Sequence, residues 1–166
     1  VTLLTSALRQ EATRVLAQSP EVLLQRMVAG RHDLIPPGYI ERIGRIRGVQ
    51  QVEGRLWGYY YDAVVKANYT FQVVGDVLSF RSYSGKLFTF TVDAVLPAES
   101  ELVSADLVLL NEADFRAFFD YPAGHFTDIA LSVANPQEVR TVATKLAAAL
   151  PDSRPILRDE VLRTYQ

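Results

Sequence analysis

Histidines, cysteines and paired carboxylates are the side chains that most often perform catalysis or bind metals, and this sequence has few of the first two. It contains 19 acidic residues, the two histidines His32 and His125, and no cysteine. The histidines are far apart in sequence and have no helix-face spacing that would present two ligands to one ion. The sequence therefore predicts neither a structural nor a catalytic zinc site.

Two short motifs resemble catalytic or phosphate-binding signatures, and both have simpler interpretations. His32 stands beside Asp33, but no Gly-x-Ser-x-Gly motif accompanies them, so they are interpreted as a loop histidine and a helix-starting aspartate. Ser84-Gly85-Lys86 lacks the rest of a phosphate-binding loop, because Phe80 replaces its first glycine and Leu87 its magnesium-binding hydroxyl residue. We interpret this tripeptide as a hairpin turn.

Six aromatic residues in the middle of the chain could serve either of two purposes. Tyrosine and tryptophan combine apolar area with a polar tip, so such a group can line a ligand groove. The same alternation also fills the face of a sheet, which is the interpretation that we favour. The residues are Trp57, Tyr59, Tyr60, Tyr61, Tyr69 and Phe71.

Charge is nearly balanced overall but uneven along the chain. Seventeen basic residues and 19 acidic ones give a net charge of −2, which argues against binding to nucleic acid. Basic residues dominate around residues 26–55, whereas residues 93–120 contain seven acids and Arg116 as the one base. The two regions predict either solvated or mutually attracting faces, or an acidic patch that binds a partner.

The length of 166 residues suits one compact domain or two small lobes, and helical and strand patterns alternate along it. No apolar run is long enough to cross a membrane. The chain starts at Val1 without a methionine, so we expect it to be a piece of a longer protein. The predicted strands are Glu21–Val28, Val49–Tyr61, Tyr69–Leu78, Lys86–Val95, Asp106–Leu110, Thr127–Val133 and Arg154–Leu157.

Helices are predicted where apolar residues recur at helical spacing behind a capping residue. Asn111 caps one helix, and Asn135-Pro136 begins another that stops at Pro151. The remaining helices are an amphipathic one over residues 1–18, a short one with Ile40, Ile43 and Ile46, and a last one over Arg158–Gln166.

Together these elements predict an α+β fold, with a mixed α/β core that is split by a β-rich insert. The core comprises residues 1–63 and 105–166, and the insert comprises residues 64–104. The first and last helices would join and leave the same core.

Five segments of the chain resemble the extracytoplasmic core domain of permease subunits in the MacB, LolC/LolE and FtsX-like class of ABC transporters. The order of the parts and the second half of the chain, with its strand followed by an Asn-Pro helix start, are the most specific features. The segments are Gln25–Pro36, Ile46–Val49, Arg55–Tyr61, Thr127–Leu131 and Asn135–Val139.

The resemblance implies a periplasmic domain between the first two membrane helices of a permease in the inner membrane. It implies a porter-like core interrupted by a sabre-like lobe, with terminal stalk helices that continue into the membrane. It also implies a domain without catalysis or cofactor, which transmits movement driven by ATP hydrolysis on a separate ATPase subunit or domain.

The implied partners are that ATPase, a second permease subunit, and a periplasmic adaptor or carrier protein. The transported substrate stays open. We predict that the β-rich segment from Val64 to Leu96 and the acidic stretch beyond it, with Glu99 and Glu101, form the partner surface.

Two other functions remain open at this point. An extracytoplasmic ligand-binding sensor domain of a membrane receptor would have a deep pocket lined by aromatic side chains. A small soluble enzyme would have a cleft holding carboxylates of perturbed pKa, although no particular pair is indicated.

Overall fold

The computed structural model describes residues 19–60, 77–94 and 107–164. The chain divides into two units, which are Val1–Trp57 together with Gly124–Gln166, and Gly58–Ala123. The sequence predicts these limits at residues 63/64 and 104/105. Several predictions fall outside the described residues. They are the helix over residues 1–18, the partner residues Glu99 and Glu101, and most of the strand Tyr69–Leu78.

Helices and antiparallel sheets alternate along the described residues, so the predicted α+β class is confirmed. The strands are β1 (Val22–Val28), β2 (Arg31–Asp33), β3 (Val49–Arg55), β4 (Val77–Arg81), β5 (Leu87–Thr91), β6 (Asp128–Val133) and β7 (Ser153–Leu157). The α-helices are α1 (Tyr39–Gly44), α2 (Glu112–Phe119), α3 (Val139–Ala149) and α4 (Arg158–Thr164), and a 3-10 turn at Pro136–Glu138 leads into α3.

The first unit is built on an antiparallel sheet with β1 at its centre. β1 pairs with β7 on one side and with β6 on the other, and β6 pairs in turn with β3. The order β3-β6-β1-β7, with α1 and α3 in the connections, is that of a β-α-β-β-α-β ferredoxin-like unit. The second unit is inserted between β3 and β6.

The core of this unit lies between one face of the sheet and its helices. Alternate residues of β1 and β6 are fully buried, among them Val22, Leu24 and Ile129. They pack with Val142 and Leu146 of α3, which recur at helical spacing as predicted. Each such side chain contributes about 1.5–3 kcal/mol by leaving water.

The second unit contains a hairpin and a helix that share an aromatic core. β4 and β5 pair across the predicted turn, where Gly85 has a φ of 86°. Phe88 and Phe90 are more buried than their neighbours in β5, as the alternation predicts. Phe118 of α2 contacts both rings.

The capping prediction for α2 is also confirmed. The Asn111 side chain accepts a hydrogen bond from the backbone N–H of Asp114 at 2.9 Å, which satisfies one of the free donors at the start of the helix. The Asn111 amide also donates to the Asp114 carboxylate.

Three sequence predictions are wrong, each for a local reason. Leu107–Leu110 lies in no strand, since no described strand pairs with it. The strand predicted over Val49–Tyr61 ends at Arg55, because the Trp57 N–H donates to a side chain instead of a neighbouring backbone. His32 is no loop residue and Asp33 starts no helix, because both lie in β2, a short strand that the sequence did not predict.

β2 forms because the chain reverses tightly after β1. Ala29 and Gly30 have φ values of 49° and 77°, the left-handed pair that two-residue hairpin turns require. Residues 31–33 then pair with the end of β1.

Within the described ranges, no helix has the length and apolar character that spanning a membrane requires.

Candidate functional site

The described residues just before β1 and just after β7 meet at one place, which we call the terminal clamp (Ser19, Glu21 and Arg158). Glu21 directly precedes β1 and Arg158 directly follows β7. Because β1 and β7 are antiparallel neighbours in which Val22 faces Leu157, these two flanking residues lie opposite each other. The Arg158 N–H donates to the Glu21 carbonyl at 3.1 Å.

Side chains reinforce this backbone contact. The Arg158 guanidinium donates to the Glu21 carboxylate at 3.1 Å and to the Ser19 carbonyl at 3.0 Å. The same carboxylate accepts from the N–H of Val133, at the end of β6, at 3.4 Å. Both charged side chains are about three-quarters buried, so their attraction is less screened than at an open surface. The clamp therefore joins the incoming chain, the outgoing chain and the end of β6.

Helix α4, which continues from the clamp, is fixed at its first turn. The Glu160 side chain accepts from the N–H of Leu157 at 3.4 Å, which is one half of a capping box. Asp159 accepts from Arg140 of α3 at 2.6 Å and from Arg163 of α4 at 2.8 Å. The hydrogen bond from Arg163, with the charge of Arg140, lowers the pKa of Asp159 below its ordinary value of 3.8. Helix α4 is therefore joined to α3 by a surface ion pair and to β1 by the terminal clamp.

A second polar cluster, the exit clasp (Arg55, Trp57, Thr127 and Asp128), lies where the chain leaves this unit and returns to it. Arg55 and Asp128 face each other at the last register position of β3 and β6. Two parallel hydrogen bonds of 2.7 Å join the guanidinium to the carboxylate, and the Trp57 indole N–H donates to the same carboxylate at 2.9 Å. This bidentate geometry is the strongest form of such a pair, and it raises the pKa of Arg55.

Thr127 completes the clasp from the returning strand. Its hydroxyl accepts from the Trp57 N–H at 3.1 Å and donates to the Trp57 carbonyl at 2.9 Å. Its own N–H donates to the Arg55 carbonyl at 2.8 Å. The outgoing and returning chains are thus held together beyond the last strand pair.

His32, the histidine of the candidate His-Asp pair, has its contacts at this clasp. Its Nε2 donates to the Thr127 carbonyl at 2.8 Å, and its ring stacks on Trp57 at 5.7 Å between centroids. The Asp33 carboxylate instead accepts from Arg26 and from the Leu34 N–H. The two side chains therefore act in separate contacts.

A third network joins β1, α1 and the turn before β7. The Asp152 carboxylate accepts from Arg26 at 2.9 Å and from the Tyr39 hydroxyl at 2.6 Å. Hydrogen bonds from Tyr39 and then Arg26 lower the pKa of Asp152 below 3.8. Burial, and then the hydrogen bond to Asp152, raises the pKa of Tyr39 above 10.0.

This network predicts a loss of stability at both ends of the pH range. The lowered pKa of Asp152 stabilises the fold above pH 4, and this stabilisation is lost as the pH falls through the folded-state pKa. The raised pKa of Tyr39 stabilises the fold below pH 10 and is lost as the pH rises through its folded-state value. Since the Asp152 side chain is 36% exposed, we expect Asp152→Asn to cost about 1 kcal/mol or less at pH 7.

The measurement is urea unfolding at pH 7 and pH 3, followed by the fluorescence of Trp57, the one tryptophan of the chain. The difference in the free energy of unfolding between the wild type and Asp152→Asn should be smaller at pH 3 than at pH 7. Glu41→Gln is the control, because Glu41 is exposed and its distance to Arg45 is 3.9 Å. An equal difference in the free energy of unfolding at both pH values would show that the ionised Asp152 carboxylate does not stabilise the fold.

The predicted aromatic group is divided between different roles. Trp57 belongs to the exit clasp, and Tyr60 packs edge-on against Phe80 and Phe118, as a core residue does. Tyr59 is exposed. Tyr61, Tyr69 and Phe71 lie outside the described residues.

The other candidate sites are placed as follows. Ser84-Gly85-Lys86 forms the predicted hairpin turn, closed by the hydrogen bond from the Ser82 N–H to the Lys86 carbonyl. In the part of the chain that the structure describes, no three His, Asp or Glu residues are grouped as metal ligands would be.

Comparison with family models, with curated proteins and with solved structures finds no match to this chain.

Proposed function

We propose that this chain is the extracytoplasmic domain of an ABC transporter permease of the MacB, LolC/LolE and FtsX-like class. Its role is mechanical. It passes the movement of two flanking membrane helices to an envelope substrate or partner, while a separate ATPase subunit or domain hydrolyses ATP. A second permease subunit and an adaptor or carrier protein are its proposed partners.

The terminal clamp is the observation that supports this proposal most strongly. A domain that transmits movement must receive it from both flanking segments together, because a segment that moved alone would only unwind its own end. Here Arg158 contacts the backbone of Ser19 and the side chain of Glu21, so both segments converge on one end of one sheet. Motion of the two is then motion of the unit as a rigid body.

The exit clasp supports the same role at the other connection. The chain enters the second unit after Trp57 and returns at Gly124. Hydrogen bonds between Trp57 and Thr127, with the buried Asp128 beneath them, restrict how far these two connections can separate. These contacts lie within the first unit and fix the spacing between its outgoing and returning chains. The proposal also rests on the five sequence segments that resemble this permease class.

The location can be tested by cysteine labelling, since these 166 residues contain no cysteine. In the full-length parent protein, freed of any other cysteine, Arg45→Cys places a thiol at an exposed position of the first unit. We expect a membrane-impermeant maleimide to label it in intact spheroplasts. Labelling only after lysis would overturn the proposal.

Ser132→Cys is the matched control because it changes one atom. The Ser132 hydroxyl oxygen is buried and makes no hydrogen bond within the described structure. Its thiol should react only after denaturation, which shows that the label reports on the folded domain.

A second readout separates a transporter from a receptor. The parent protein, purified in detergent from its native host, should carry or co-purify with a nucleotide-binding domain that hydrolyses ATP. Extracytoplasmic labelling without any such ATPase would contradict the transporter role.

A further inference from the structure

Leu107–Leu110 is an apolar segment that has the composition of a strand but lies in none. Val and Leu alone make up these four positions, and the sequence pattern predicts a strand there. In the structure Leu107, Val108 and Leu109 are 46%, 39% and 70% exposed. Three consecutive large apolar side chains with this exposure are unusual for a surface without a partner.

The backbone of this segment is also unpaired within the described ranges, where no residue exchanges a backbone hydrogen bond with Leu107–Leu110. Unpaired N–H and C=O groups beside exposed apolar side chains form a template onto which another strand can add.

The segment is nevertheless held in place at its carboxyl end. Asn111, the next residue, caps α2, and Phe118 of that helix is buried against Phe80 and Phe88. A partner strand would therefore dock against an anchored segment instead of a free tail, which lowers the entropy cost of binding.

The charges adjacent in the sequence indicate which partner fits. Asp106 precedes the segment in sequence and Glu112 follows it, within the stretch of residues 93–120 that has seven acids and one base. That base, Arg116, already donates to Glu112 and to the Pro122 carbonyl. A second copy of the same segment would bring like charges together, whereas a strand flanked by lysine or arginine would be attracted.

We propose that Leu107–Leu110 is a docking site for an extended segment of a partner protein, apolar in alternate positions and flanked by basic residues. The segment adds as a strand, so that backbone hydrogen bonds provide affinity and the acidic flanks select the basic partner. This proposal does not depend on the transporter assignment.

The test uses the 166-residue chain and two synthetic peptides, Lys-Lys-Val-Thr-Val-Thr-Val-Lys-Lys and its counterpart with glutamate in place of every lysine. Amide hydrogen exchange is followed by NMR. We expect the lysine peptide to slow exchange within Leu107–Leu110 by about tenfold or more, as new backbone hydrogen bonds do. The glutamate peptide should leave it unchanged at the same concentration.

Proline substitutions test the strand pairing itself. Successive N–H groups of a strand point in opposite directions, so either Val108→Pro or Leu109→Pro must remove a donor that faces the peptide. One of them should abolish protection, whereas Val108→Thr should keep it. If neither proline variant folds, the comparison of the two peptides on the wild-type chain decides alone.

Three results would overturn the proposal. Exchange that neither peptide slows would exclude strand addition. Equal protection by both peptides would exclude selection by charge. Protection that rises with protein concentration in the absence of peptide would assign the segment to a second copy of this chain.

Discussion

Arg55→Met should lower the free energy of unfolding of the first unit by about 3–5 kcal/mol. The substitution leaves the Asp128 carboxylate, which is 2% exposed, with the Trp57 indole as its one remaining side-chain donor. A charge that is buried without its counter-ion has a large desolvation cost. Urea unfolding followed by Trp57 fluorescence measures this loss locally, because the tryptophan lies in the clasp itself.

Removal of Asp128 should lower the free energy of unfolding by a smaller amount. In Asp128→Ala the Arg55 side chain, 38% exposed, can turn its guanidinium toward water, so we expect a loss of about 2–3 kcal/mol. The double variant should lose less than the sum of the two by about 1–3 kcal/mol, since the second change removes the unpaired group.

Arg140→Met is the matched control for an arginine–aspartate pair at the surface. Both Arg140 and Asp159 are largely exposed, and Asp159 keeps its contact with Arg163. We expect a loss below about 1 kcal/mol. Strictly additive losses in the double variant at the clasp would show that Arg55 and Asp128 do not act as a pair.

The parts of the fold that can be predicted from the sequence are the strands and helices that bury one apolar face in the core. β1, β6 and α3 have apolar residues at strand or helix spacing, and those residues are the ones with almost no exposed surface. The caps at Asn111 and Asn135 are predictable for a related reason, because each involves atoms at most three residues apart. Local periodicity and local hydrogen bonds require no knowledge of the tertiary pairing.

The clamp and the clasp could not be predicted in this way. Glu21 and Arg158 are 137 positions apart, and Arg55 and Asp128 are 73 apart. Each pair forms because a particular register of two strands brings opposite charges together. A prediction of which strands are neighbours, followed by a search for opposite charges at facing positions, would have found both pairs.

The strand predicted at Asp106–Leu110 illustrates the opposite case. Strand propensity describes a residue's fit to a half-buried, pleated surface, and it needs a neighbouring strand to take effect. The described part of the chain offers none to Leu107–Leu110. The mismatch between local pattern and structure is what identifies this segment as a docking candidate.

Reversal of one charge in the terminal clamp should uncouple the proposed transporter. In the full-length parent protein, Glu21→Lys places a second cation against Arg158 and removes the acceptor for the Val133 N–H. The assay is complementation of the envelope defect of a strain in which the gene of the parent protein is deleted. If the clamp joins the two flanking helices to one rigid unit, complementation should fall about tenfold, equivalent to a lost coupling free energy of about 1.4 kcal/mol. ATP hydrolysis by the detergent-purified complex should continue, because the proposed arrangement places the ATPase on the other side of the membrane from the clamp.

The double variant Glu21→Lys with Arg158→Glu decides whether the pair itself is responsible. It restores an ion pair of opposite polarity, so complementation should recover in large part, although the contact from Arg158 to the Ser19 carbonyl is not rebuilt. Arg163→Gln is the control on the same helix, since Asp159 keeps its bond to Arg140 and complementation should be unchanged. Full complementation by Glu21→Lys alone, or no recovery in the double variant, would show that the two flanking segments do not need this contact to move together.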